Sequence, residues 1–193
     1  MFEDVELKLK KRNKILFSRE SKCLNEFIEL IRKQNHRTLV LWAFECVQEL
    51  LEIFEIAYPD EVRPRNAFEL CQKWAQGEVK MPVAKRAILN CHQACKDIHN
   101  DYLIALCHAI GQGLSTVHVE THAIGLPIYE LSAIVFNNKD CYEQVVLDKI
   151  EYYKERLIYY QNHIDKIEYQ WADFLLKDAP NKEDELWNKR KDT

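Results

Sequence analysis

The sequence predicts an all-α fold, a single-domain bundle of seven or eight helices with a long C-terminal helix. Three observations point to it. Only four glycines and five prolines occur in 193 residues, too few chain breakers for a β-rich fold full of tight turns. Apolar residues recur at helical spacing in most segments. Val146, Ile150, Tyr153, Leu157, Tyr160, Ile164, Ile167, Trp171 and Phe174 are spaced 4-3-4-3-4-3-4-3, a heptad seam. With 47% hydrophobic residues the chain has enough apolar mass for a full core.

Residues 2–13 ("FEDVELKLKK" and beyond) mix charged and apolar side chains and suit either a helix or a frayed arm. Leu24, Phe27, Ile28 and Ile31 predict a helix over about 19–33. The clearest helix spans about 36–57. At 100° per residue, Trp42, Ala43, Cys46, Val47, Leu50, Leu51, Ile53, Phe54 and Ala57 share one broad side, and Glu45, Glu49, Glu52 and Glu55 the other. Pro59 ends it. Pro64 and Pro82 suit first turns, and Gly77 suits a helix C-terminus. Asn100–Asp101 caps a helix to about 118, in which Gly111, Gly113 and Ser115 admit a close neighbour. Thr121 is placed to cap a helix over 122–136, with a kink at Pro127. The heptad seam predicts a last helix over about 140–176, roughly 50 Å long. Its Tyr and Trp residues are too bulky for a two-stranded zipper, and Leu147, Ile158, Tyr159 and Leu175 widen its apolar face. It is therefore expected to pack in a groove of its own chain. Residues 177–193 read as a loose charged tail.

Charge and composition exclude several function classes. The net charge is −4 and no basic stripe is present, which argues against nucleic-acid binding. Residues 45–61 hold six acidic side chains and no basic one, so a protein partner is expected to be basic. No apolar run reaches the ~18 residues of a membrane span. The charged N-terminus lacks a signal-peptide core, and seven cysteines form no even disulfide framework, so a cytoplasmic location is expected.

The candidate chemistry lies in histidines. His118 and His122 are four residues apart, the spacing of helical zinc ligands. In His-Val-Glu-Thr-His, however, Glu120 is two residues from each, about 200° round the helix, and cannot act as the metalloprotease base. A helix break at Thr121 makes a structural pair the competing reading. Cys91, His92, Cys95 and His99 offer four soft ligands. Yet Ala84, Ala87, Ile88, Cys91, Cys95 and Ile98 form one apolar stripe, which suits cysteines as small core residues. No phosphate-binding loop, dinucleotide fingerprint or nucleophile motif is present, and no cofactor is expected. Arg63 and Arg65 oppose the dipole at a helix start and are expected to meet carboxylates or a ligand.

Several of these residues form a familiar pattern. His36, Leu41-Trp42-Ala43, Cys46, Phe54, Arg63-Pro64-Arg65, Trp74 and Gly77, followed by His118, His122-Ala123 and Gly125, resemble the immunity-five-like family of bacterial polymorphic-toxin systems. The resemblance covers about 35–137. It implies a helical, non-catalytic protein that binds and neutralises a cognate toxin, with His36, Trp42, His118 and His122 as motif positions of unassigned role. The expected partner-binding residues are Glu45, Glu49, Glu52, Glu55, Asp60, Glu61, Arg63 and Arg65. Two alternatives stay open: a metal-dependent helical enzyme using His118 and His122 with His92, His99 or His108, and a structural homodimer.

Overall fold

The computed structural model describes residues 1–177; the expected charged tail falls almost entirely outside them. Among the described residues there are eight α-helices and no strand: α1 (Glu3–Lys10), α2 (Asn25–Arg32), α3 (His36–Ala57), α4 (Arg63–Ala75), α5 (Met81–Ala94), α6 (Asp101–Ser115), α7 (Gly125–Asn137) and α8 (Tyr142–His163). The fold is thus the all-α bundle the sequence predicts. None of the described helices is long and apolar enough to cross a membrane.

Local chemistry sets most boundaries. Asn35 Oδ1 accepts the Thr38 N–H at 2.8 Å and opens α3, and Asn100 does the same for Leu103 at 3.2 Å in α6. Pro64 and Pro82 sit in the first turns of α4 and α5, where a missing N–H costs nothing. Gly77, at φ +82°, turns the chain after α4.

Three predicted boundaries move. The 19–33 helix shrinks to a 3₁₀ turn at Lys22–Leu24 followed by α2. Ser21 causes this, because its hydroxyl accepts the Ser18 N–H at 3.0 Å and donates to Asp4 at 2.6 Å, holding the chain in a turn. The helix predicted to reach 118 stops at Ser115, and Thr121 lies inside a 3₁₀ turn (Glu120–Ile124) rather than capping a helix. Pro127 is the third residue of α7, so it kinks nothing.

The largest change is at the C-terminal end. The helix expected over 140–176 ends at His163 and is 22 residues long. Beyond it the chain turns back over the open end of α4. Ala172 N–H donates to Ala75 O at 2.8 Å, and Gln170 Nε2 donates to Gln76 O at 3.1 Å. These are carbonyls that a helix terminus leaves unpaired. Phe174 stacks on Trp74 with centroids 5.4 Å apart. Leaving the helix therefore satisfies α4, and the later seam residues serve a different contact. Leu147, Ile158 and Tyr159 face solvent, while Leu175 is buried, so the predicted widening of the α8 face is corrected.

One apolar cluster draws buried residues from all eight helices. α6 runs through its middle, against α3, α4, α5 and α7. Gly113 makes room for Val47 of α3 and Leu126 of α7, and Gly111 lies under the His92 ring of α5. α8 packs within its own chain, against α2, α3 and α7. There the Tyr153 ring stacks on Phe27 at 5.5 Å and meets Trp42 edge-on at 5.7 Å.

A Cβ at Gly111 would collide with the His92 imidazole, which is flanked by packed helices. Gly111→Ala is therefore expected to destabilise the fold by about 1–3 kcal/mol. Urea denaturation should show this, and adding His92→Ala should recover part of the loss.

Candidate functional site

The acidic face of α3 divides into two halves. Its first half is covered by α8, which runs antiparallel to it. Glu45 meets Arg156, with Nε and Oε1 2.8 Å apart. Glu49 accepts from Lys149 at 3.2 Å and from the Tyr152 hydroxyl. Arg156 also lies over the Tyr159 ring at 4.5 Å and Lys149 over Tyr152 at 4.6 Å, so both cations are held between aromatic faces and carboxylates. Behind this seam sits a residue that pattern reading passed over. Glu130 of α7 is 4% exposed, 2.8 Å from Lys149 Nζ, and accepts from the Tyr153 hydroxyl. Burial pushes the Glu130 carboxyl above its ordinary pKa, with Lys149 pulling back. Burial also opposes the Lys149 charge, but Glu130 and Glu49 outweigh it and keep the ammonium protonated. The signal was available: Glu130 is the sole charged residue of 123–138.

The second half of the acidic face turns toward α4. Arg65 donates to both Glu55 oxygens, at 2.6 and 2.8 Å, and to Gln48 at 3.2 Å. Arg63 bonds Glu61 through its Nε at 2.7 Å and Asp97 at 2.6 Å. Bonding to these arginines holds the Glu55 and Glu61 carboxyls below their usual range. The cations that the α4 dipole disfavours are thus compensated by carboxylates of neighbouring segments. Glu52 and Asp60 remain exposed, and Glu52 accepts from Gln48 at 3.1 Å.

The motif histidines gather around the turn between α6 and α7 without sharing a helix face. His36 donates from Nε2 to Thr116 O at 2.6 Å, its Nδ1 3.6 Å from Glu120, and so fixes the start of α3 to this turn. Burial lowers the His36 pKa, partly offset by that carbonyl. His118 is exposed and lies over Trp74 of α4, centroids 5.9 Å apart. His122 bonds Gln112 of α6 through Nδ1 at 2.9 Å, a contact that Gly125 leaves room for. Because α6 ends at Ser115, the two histidines look to different helices, and the i,i+4 zinc geometry does not form. Trp42 lies further along α3, fully buried between Phe27 and Tyr153.

The "CHQACKDIH" residues also separate. Cys91 is buried, its thiol on Cys107 O at 3.7 Å, and Cys95 points to Ile104 O at 3.7 Å, both toward α6. His99 is exposed beyond α5. His92 meets His108 across α5 and α6, Nδ1 to Nδ1 at 3.1 Å, and His108 packs on Tyr129 at 5.2 Å. Among the described residues no group of three or more His, Cys, Asp and Glu side chains is arranged to hold a metal ion.

The His92–His108 bond needs one nitrogen to donate and the other to accept, so protonating both breaks it. Burial, with His108 and His122 nearby, lowers the His92 pKa from 6.5 to about 4. Between those values the unfolded chain binds more protons than the folded one, so stability rises with pH in that window. Lowering the pH from about 7 to about 5 should cost on the order of 2 kcal/mol at this residue. Thermal melts across that range should show the fall, and His92→Gln should flatten it.

The model of the family described as Imm-5 like putative immunity protein matches residues 29–156. It reaches further than the 35–137 pattern, taking in the end of α2 and most of α8 with Lys149, Tyr153 and Arg156. No curated protein and no solved structure matches the chain. The matched span covers most of the described helices and both assemblies above, and the chain belongs to the Imm-5 like putative immunity protein family.

Proposed function

We propose that this protein is a cytoplasmic immunity protein of a bacterial polymorphic-toxin system, which binds a cognate toxin protein and neutralises it without catalysis. The family match over residues 29–156 carries this reading. The placement of the reactive side chains supports it. Histidines 36, 92, 108 and 122 are engaged in packing contacts between helices, and the thiols of Cys46, Cys71, Cys91 and Cys107 are buried. Burial pushes the Cys71 thiol up to about 12, far from a reactive thiolate. No cofactor enters this mechanism; occlusion of the toxin's working surface suffices.

Co-expression with the product of the adjacent gene should restore growth to cells that this product arrests, and the two proteins should elute as one complex. Growth arrest that persists despite soluble expression would overturn the reading. Elemental analysis of protein purified without added metal tests the enzymatic alternative. Stoichiometric zinc, iron or manganese that is lost in His118→Ala would favour it.

A further inference from the structure

We infer that the corner between α3 and α4, residues 52–62, is the face that receives the toxin, and that the toxin offers it a basic segment carrying apolar side chains. This rests on the neutralising reading above and adds the surface and the chemistry of the partner. Two features coincide at the corner. The first is apolar exposure: Ile56 is 85% and Val62 66% exposed, with Ile53 at 42%. Ile53 lies one turn before Ile56, as does Glu52, so the three share a stretch of helix surface. Covering these side chains removes apolar area from water.

The second feature is uncompensated negative charge. Arg65 pairs with Glu55, and Arg63 is shared between Glu61 and Asp97. Glu52 and Asp60 are exposed and form no ion pair among the described residues, so the corner carries negative charge beyond what the two guanidiniums bond. α3 also ends here with no basic residue in its last turn, so its negative dipole end adds to the field. A cleft of about 340 Å³ opens at residues 57–61, room for a lysine or arginine side chain. Glu45 and Glu49, by contrast, are each bonded to a cation of α8, Arg156 and Lys149. Leu89 of α5, 51% exposed, follows Lys85 and Arg86 by four and three residues and so offers apolar surface in a basic setting.

The test is calorimetric titration of the full chain with the product of the adjacent gene. Ile56→Asn should weaken binding by about tenfold or more, and the double reversal Glu52→Lys with Asp60→Lys by on the order of 100-fold. Leu89→Asn should bind as the parent does. Binding by the parent should also weaken between about 50 and about 300 mM salt, and the reversed variant should lose that dependence. All substituted side chains are exposed, and melting curves verify that the variants fold. Parent-like affinity in both corner variants would overturn the assignment of this surface while leaving neutralisation standing. Absence of binding by the parent would overturn the neutralising reading itself, and this inference with it.

Discussion

A carboxylate enclosed in a helical core has to be matched, and the mutual placement of α3, α7 and α8 depends on how Glu130 is matched. Removing an ion pair from water costs several kcal/mol per ion unless geometry and added hydrogen bonds return it. Here Lys149 approaches from α8 at 2.8 Å and Tyr153, one turn on, donates its hydroxyl. Lys149 also reaches Glu49 of α3, so one ammonium ties three helices. Tyr153 has two duties: its ring fills the space between Phe27 and Trp42, and its hydroxyl serves Glu130. A slide of α8 along α3 would break the packing and strand the buried charge together.

That matching also decides what the surface presents. Because α8 brings Lys149 and Arg156 to the first half of α3, the carboxylates there are neutralised within the chain. The carboxylates further on, Glu55 and Glu61, are bonded instead by Arg65 and Arg63 of α4. The continuous acidic face apparent in the sequence is thus split into an internal seam and an exposed corner. The histidine turn plays a different part. His36, His118 and His122 connect α3, α4 and α6 at the place where the chain changes direction between α6 and α7.

The sequence made the helices legible wherever periodicity was local. The bounds of α3 follow from the Asn35 cap, one broad apolar side and Pro59, all visible in the chain itself. The heptad count misled beyond His163, since its period holds only while the chain stays helical. Ile164 is buried, but Phe174 of the seam is 40% exposed and the off-seam Leu175 is buried, in an irregular segment that completes the end of α4. Glu130 was legible as a lone charge in an apolar stretch, whereas its partners nineteen and twenty-three residues away were not. Likewise the spacing of His118 and His122 suggested a shared face, and only the actual end of α6 at Ser115 removed it.

The division of the α3 face between an internal seam and an exposed corner is tested most directly by hydrogen–deuterium exchange of the chain alone and saturated with its toxin. The expected result is new protection confined to residues 52–66, with exchange along α8 and around residues 116–122 unchanged. Protection that instead spreads along α8 or centres on the histidine turn, with 52–66 unaffected, would contradict it.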